Sequence, residues 1–535
     1  MNEEEQSLRR YAFPGFLVSI CHRFKESSAI TRLFISALII TTVSCVHYLT
    51  TMIAWTSPGF TLDDSWIHLQ YARTIYQGIP WEYSPGHPST GSTSPLWSVI
   101  LSTLFFITQD PISLIYGTYL IAGLFYFLTT LLVGYIIFNY SERLLIAITG
   151  MVGFVIVPRT TWLMLSGMET PLFMFLLVFG VVLLDKKDIR YDPLLGITVG
   201  LAFLARPEGV ILALFVPVRF FLLDREELTN WKRWVSFVLM AVIALLIVSP
   251  WIIHCLNTTG YPLPDTFYAK VHTPTEYEID VWRFWWNIWL IEYPFILIGG
   301  ILGLALVVNK KPFTWLIAVG LVLLYRLNLP YNALINNGRY LVPVFSFFFI
   351  TAIVAIAKIA PYILEVDIGI KRPADRQLLT VFVILLVMII PLLSEYLFQA
   401  NLFGNSVKNI NEQQVYIGKW LSENTPEDAV LAIHDAGAIR FFSNRSIIDL
   451  AGLVSPDIIH GNMSSIELLI YLREHGCEYF VFFNELMVYY SFLLGSGLEI
   501  LLTVHLDDNV ISGRDTMSVY YVNWSKVSIL DSYTL

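Results

Sequence analysis

Thr61-Leu62-Asp63-Asp64-Ser65-Trp66-Ile67-His68 is the stretch on which the reading of this chain turns. It follows an apolar run, Leu33 to Trp55, long enough to cross a bilayer. Two adjacent carboxylates just past the mouth of a membrane helix are costly to place there, which makes them candidates for function. Ser65 to Gln77 then reads as an amphipathic helix. Ile67, Tyr71, Ile75 and Trp66, Leu69, Ala72 recur near a helical period, and Gly78 stops it. A polar, turn-rich loop runs from Tyr83 to Pro95. The plain alternative is a solvated loop in which Asp63 caps the helix.

The rest of the chain sets the context. Of 535 residues, 56% are hydrophobic and 14% charged, which excludes a disordered chain and an ordinary soluble protein. The net charge of −9 argues against a nucleic-acid partner. Cys21, Cys45, Cys255 and Cys477 show no metal or disulfide spacing. No cleavable signal is expected, because the first apolar run begins late and is too long for one.

Charge decides the topology. Residues 1–32 carry Arg9, Arg10, Arg23, Lys25 and Arg32, so the positive-inside rule makes this tail cytoplasmic. Asp63 and Asp64 then face outside, in a first external loop over residues 56–111. Pro95–Thr108 is apolar but short for a crossing. If only Ile112–Phe138 crosses, Arg143, Lys186, Lys187, Arg190, Arg225, Lys232, Arg233, Lys310, Lys311, Lys371, Arg372 and Arg376 all fall inside. If both cross, every one moves outside. Pro95–Thr108 is therefore read as a juxtamembrane or half-inserted helix. Further spans are expected at Leu144–Pro158, Thr170–Leu184, Pro193–Ala205, Gly209–Leu223, Trp234–Ile253, Phe284–Val308, Phe313–Tyr325, Tyr340–Ala357 and Gln377–Leu393. That makes eleven, in a membrane domain over residues 33–398. One long kinked helix over Pro193–Leu223 is the alternative for that pair.

Residues 399–535 have the charge density of a soluble domain, and odd span parity puts them outside. Strands are expected at Ala429–His434, Ser446–Leu450, Tyr479–Phe483, Glu499–His505 and Ser518–Trp524, with helices at Ala436–Phe442 and Ile466–His475. The fold class is a polytopic α-helical membrane protein carrying a small C-terminal α/β extracytoplasmic domain.

The stretch DDSWIHLQYARTIYQG, starting at Asp63, and the GSTSPLW that starts at Gly91 resemble the first external loop of the GT-C membrane glycosyltransferases. More narrowly, they resemble the mycobacterial-type arabinofuranosyltransferases and their bacterial relatives. The likeness recurs in order at Ser166–Thr170, Ala205–Gly209, Pro262–Lys270 and Gly338–Leu341. It implies juxtamembrane helices in the first loop. It also implies transfer of a sugar from a polyprenyl-phosphate-linked donor to a glycan, lipid or protein acceptor. The setting would be the extracytoplasmic face of a bacterial or archaeal cytoplasmic membrane, with the first-loop acid as catalytic base. Relatives commonly have Asn where this chain has Asp265, an extra negative charge that bears on the donor or on a metal.

Such a transfer needs a carboxylate to take the acceptor's proton. Asp63 or Asp64 supplies it, and the resemblance favours Asp63. The phosphate leaving group needs fixed cations. Lys270 is the first candidate, then Arg206 and Arg339, whose guanidinium groups bind phosphate bidentately. The plainer readings are a solvated lysine, an ion pair of Arg206 with Glu208 or Glu169, and an interfacial anchor at Arg339. Glu169 and Glu208 sit at span ends, suited to sugar hydroxyls, to positioning Arg206, or to a divalent metal. Oxygen ligands suit magnesium, manganese or calcium, and no spacing commits to a metal. His68, one helical turn from Asp64, is placed to hold that carboxylate, and Tyr71 and Tyr268 are the other pocket candidates. His434–Ile439 is read either as an acceptor site or as a brace for the external face. The competing functions are a transporter or flippase of lipid-linked sugars, which internal repeats and midplane charges would mark, and a non-catalytic assembly subunit. A soluble nucleotide-sugar donor would need a glycine phosphate loop, which is absent from the sequence.

Overall fold

A computed structural model of the chain describes residues 28–186, 188–223, 229–271, 294–307, 317–324, 335–366, 368–461 and 463–527. The expected basic tail before residue 28 lies outside them. Among the described residues the order begins with α1 (Ala29–Trp55), α2 (Asp64–Tyr76), the hairpin β1 (Glu82–Ser84) and β2 (His87–Pro88), α3 (Pro95–Phe105) and α4 (Pro111–Ser141). It continues with α5 (Leu144–Ile156), α6 (Thr160–Met164), α7 (Thr170–Leu184), α8 (Asp192–Ala205), α9 (Val210–Val218), α10 (Trp231–Thr259), α11 (Asp265–Val271), α12 (Pro294–Val307) and α13 (Leu341–Val366). The last membrane helix, α14, runs unbroken over Pro373–Asn424.

Among the described residues, five helices are long and apolar enough to cross a membrane: Ala29–Trp55, Pro111–Ser141, Trp231–Thr259, Asn336–Val366 and Pro373–Asn424. The protein is integral to a membrane. The other expected spans are shorter helices or lie partly outside the described residues, as Phe284–Val308 and Phe313–Tyr325 do. α3, with 11 residues, is about 16 Å long, roughly half a hydrocarbon core. Together with α2 it forms the helical part of the first loop. α4 starts where the local chemistry says it should. The Asp110 carboxylate accepts the Ser113 N–H at 2.8 Å, and Pro111 takes the first helical position.

Two helices across Pro193–Leu223 are present as expected, and one boundary differs from expectation. Pro193–Leu223 is not one kinked helix: α8 ends at Ala205, and a single turn at Pro207–Gly209 leads into α9. The span expected to end at Leu393 continues 31 residues further, to Asn424. The domain border expected between 398 and 399 therefore falls inside a helix. A change from apolar to mixed composition marks the exit from lipid and does not by itself stop a helix, which needs a breaker or a cap. Tyr396, Gln399 and Phe403 are buried beyond that point, so α14 carries a packed face out of the bilayer.

The C-terminal domain is a five-stranded mixed sheet in the order β4-β3-β5-β7-β6, built from β3 (Val430–Ile433), β4 (Ser446–Asp449), β5 (Cys477–Phe483), β6 (Leu498–His505) and β7 (Thr516–Val522). β3 pairs parallel with β4 and β5, and β7 pairs antiparallel with β5 and β6. Helix α15 (Ala438–Ser443) follows β3, α16 (Pro456–His460) follows β4, and α17 (Ser465–Glu474) precedes β5. One apolar cluster joins Leu431, Ile433 and Val481 of the sheet to Ile67, Tyr71 and Tyr83 of the first loop. A second fills the other face with Phe480, Phe482, Leu469 and Leu472. Burying apolar surface on both faces makes the sheet domain and the first loop one packed unit.

Candidate active site

The site begins with a helix break. Pro207 pushes the preceding residue out of helical conformation, and Arg206 is extended, at φ −160° and ψ 140°. Its guanidinium meets Glu169, the residue before α7, with Nε 2.8 Å from Oε1. The other Glu169 oxygen lies 3.1 Å from His68 Nε2. All three side chains are at most 4% exposed. A buried carboxylate is tolerated when it is paired and hydrogen-bonded, and here two donors share it. Arg206 also sits over the Tyr340 ring, 4.5 Å from its centroid.

Arg339 approaches from the start of α13. Asn336, Asn337 and Gly338 all have positive φ, at 53°, 59° and 65°. Asn and Gly are the residues that tolerate this left-handed turn, and it delivers Arg339 to the first loop. Arg339 Nη1 donates to Asp64 Oδ2 at 2.7 Å. The arginine side chain is 3% exposed and the Asp64 side chain 31%. A cavity of about 280 Å³ has Glu169, Arg206, Glu208, Arg339, Tyr340 and Thr266 in its wall, with Phe203, Leu263 and Phe267 among the apolar members. Two guanidinium groups, two carboxylates and an aromatic ring thus share one mostly apolar chamber, whose low dielectric strengthens their fields.

Asp63 is committed elsewhere. Its carboxylate accepts the N–H of Gly437 at Oδ2 and of Ala438 at Oδ1, both at 2.7 Å. It therefore caps α15 of the C-terminal domain and makes no cap bond to its own helix. A Cβ on Gly437 would lie 2.0 Å from the Asp63 carbonyl oxygen, so only glycine permits this approach. Burial and the neighbouring Asp435 push the Asp63 carboxyl well above the usual range, against the downward pull of the two N–H bonds. Trp66 packs on Phe441 and Phe442, with centroids 5.0 and 4.7 Å away, and the Arg73 guanidinium covers Phe441 at 3.7 Å.

The other expected site residues separate. His68 does not hold Asp64; Arg339 does, and His68 serves Glu169. Helical spacing gives the face a residue shares, not what stands opposite. Tyr71 is on the Asp64 face but about 10 Å further along the helix. Its hydroxyl pairs with Ser89 at 2.9 Å, under the C-terminal domain and away from the cavity. Asp265 is fully buried, and Oδ1 lies 2.9 Å from His460 Nε2. Burial pushes its carboxyl above the usual range, with His460 and Thr90 pulling it down. His460 stacks on Tyr261 at 4.3 Å and meets Tyr268 edge-on at 5.8 Å, so Tyr268 belongs to this pair and not to the cavity wall. Lys270 lies in α11, and its side chain is outside the described residues. His460 was not singled out from the sequence; it is 195 residues from Asp265, and no local pattern links them.

The described carboxylates do not gather as a divalent-metal site. Among the described residues no three His, Cys, Asp or Glu side chains converge as ligands. Glu169 is balanced by Arg206 and His68, Asp64 by Arg339, and Asp63 by two N–H groups.

No curated protein matches the sequence. A family model described as a domain of unknown function (DUF8728) matches residues 408–529, the end of α14 and the sheet domain. Among solved structures, ArnT from Cupriavidus metallidurans bound to undecaprenyl phosphate is similar, with 13% identity and a TM-score of 0.57 over 91% of this chain and 98% of that one. The Archaeoglobus fulgidus oligosaccharyltransferase complexed with Zn and sulfate is similar at 14% identity and a TM-score of 0.55, over 83% of this chain and 67% of that one. AglB from the same organism, in complex with an inhibitory peptide and a dolichol-phosphate, has the same identity and TM-score, over 83% of this chain and 69% of that one. Identities this low speak to architecture alone, and on that architecture the chain has the fold of the GT-C membrane glycosyltransferases.

Proposed function

We propose that the protein transfers a sugar from a polyprenyl-phosphate-linked donor to a hydroxyl acceptor at the extracytoplasmic face of its membrane. One observation carries the reading: a chamber that gathers Arg206 and Arg339 beside Tyr340, with Asp64 held by Arg339 at 2.7 Å. The undecaprenyl phosphate and dolichol-phosphate bound by the similar structures support a lipid phosphate in the donor. The first loop and the C-terminal domain are assigned to the outside by the basic residues expected inside.

In this reading Asp64 is the base, in preference to Asp63. Asp64 is partly exposed and oriented by a cavity residue, while both Asp63 oxygens are occupied by backbone N–H groups. Asp64 takes the acceptor proton, the acceptor oxygen forms its bond to the anomeric carbon, and the bond from that carbon to the phosphate oxygen breaks. The electron pair leaves on the phosphate. Arg339 and Arg206 hold that charge with no reorganisation at the moment of transfer. Glu169 and His68 keep Arg206 in place, and Glu208 meets the sugar hydroxyls. Asp64 ionised and Arg339 cationic form a neutral pair before the phosphate enters, which makes the resting chamber cheap to maintain.

The test is release of polyprenyl phosphate by purified protein in nanodiscs, given a panel of polyprenyl-phosphate sugars and acceptors. Asp64→Asn should lower transfer by about 10²–10⁴ while donor binding persists. Full activity of Asp64→Asn would remove the assignment.

A further inference from the structure

A second cavity, of about 460 Å³, opens between the β1–β2 hairpin, the end of α10 and the edge strand β4. It shares no lining residue with the Arg206–Arg339 chamber. Its wall presents His87, Asn257, Asp457, Tyr471 and His475. The Tyr471 and His475 rings pair at 3.9 Å, an aromatic surface on one side of the cleft. Tyr471 donates its hydroxyl to Asp457 Oδ2 at 3.1 Å. His475 Nδ1 lies 2.8 Å from the Tyr471 carbonyl oxygen, which can only accept. Nδ1 therefore carries a proton, and in the neutral ring Nε2 is an acceptor. Acceptors set beside an aromatic face suit the hydroxyls and the C–H face of a sugar.

Two features narrow the ligand. An edge strand ordinarily invites an added peptide strand. In β4 the N–H groups of Ile447 and Asp449, which point away from β3, are already taken, by Ser84 Oγ at 3.3 Å and Ser455 Oγ at 2.9 Å. That blocks strand addition. The described lining also contains no lysine or arginine, so a phosphorylated, sulfated or uronic glycan gains nothing there. Tyr83 joins the cleft to the Asp63 junction, one residue from Asp64. It lines the wall, and its hydroxyl donates to the Ala436 carbonyl at 2.7 Å, next to the Gly437 that holds Asp63.

We infer that this cleft binds a neutral oligosaccharide segment of the acceptor, seated on Tyr471 and His475 and hydrogen-bonded by Asp457. The inference rests on the glycosyl-transfer reading for its role, while its test is binding alone. Full-length protein in nanodiscs, with no donor, is titrated with linear mannan, arabinan and galactan tetrasaccharides, and binding is read by saturation-transfer NMR. An oligogalacturonate tetramer and an extended serine-rich peptide are the comparison probes. At least one neutral tetrasaccharide should bind. Asp457→Ala and His475→Ala should each weaken it by about 10-fold or more. Tyr471→Phe keeps the ring and loses the bond to Asp457, so a weaker effect of the same sign is expected even if an alanine variant folds poorly. Three outcomes overturn the inference: no neutral tetrasaccharide binds, binding ignores the cleft substitutions, or the peptide or the acidic tetramer binds there instead. If the cleft binds sugar but no polyprenyl-phosphate sugar is consumed, the glycan site stands and the transfer reading falls.

Discussion

Replacing Asp63 by asparagine puts an amide NH₂ where one of two acceptor oxygens had been. The Gly437 and Ala438 N–H groups, each 2.7 Å from the carboxylate, both need an acceptor, and both residues are buried. The asparagine oxygen can serve one of them. The other is left facing a donor, and an unpaired buried N–H costs about 1–3 kcal/mol. That corresponds to about 5- to 140-fold more frequent opening of the contact between the first loop and the C-terminal domain. Asp63→Ala strands both groups and should cost about twice as much, about 2–6 kcal/mol. The measurement is amide hydrogen exchange in the full-length protein, followed on peptides covering residues 436–443. Exchange should accelerate in the order wild type, Asn, Ala, with peptides from β6 unaffected. Unchanged exchange at Gly437 and Ala438 in both variants would show that Asp63 does not hold this junction, and the structural role given to it here would be lost.

Two other outcomes are expected. Glu169→Gln leaves Arg206 buried beside a neutral amide and should destabilise the protein by about 3–5 kcal/mol in thermal or chemical unfolding. Adding Arg206→Met should recover part of that loss, and a double variant no better than the single would argue against the pair. Burial pushes the Asp449 carboxyl up to about 6, while it accepts the N–H groups of Ala451, Leu453 and Val454. A raised carboxyl binds its proton more tightly folded than unfolded, so its contribution to stability is complete below about pH 4 and is lost as the pH rises through about 6. Unfolding followed from pH 4 to 7 should show that slope in the wild type and lack it in Asp449→Asn.

The apolar helices and the strands of the sheet domain were legible because each is a local pattern. Thr170–Leu184 is an uninterrupted apolar run behind a proline, and the run Tyr479–Phe483 is apolar because both faces of β5 are covered. The acids and cations of the site were legible as a set, since charges at helix ends in so apolar a chain need a reason. Their pairing was not. Asp63 with Gly437, Arg339 with Asp64, and His460 with Asp265 join residues hundreds of positions apart. The spacing within α2 says that Asp64 and His68 share a face, and it is tertiary packing that gives one to Arg339 and the other to Glu169. The length of α14 was missed for a related reason. Its buried face beyond Leu393 packs against elements brought there by the fold, so hydropathy alone ended it too early.

The bond between Asp63 and Gly437 also imposes a timetable. Its two partners are 374 residues apart in a chain that is synthesised in one direction. At about 5–20 residues per second, the first loop exists for roughly 20–75 s before its clamp has been made. Through that interval the Asp63 carboxylate has no Gly437 or Ala438 to meet. Trp66 has no Phe441 to pack on. A nascent or truncated chain therefore carries every acid and cation of the chamber and still lacks the part that closes the loop around them. Assembly of the working protein is completed by its last quarter, and a polypeptide stopped before β3 is a membrane anchor with an unfinished site.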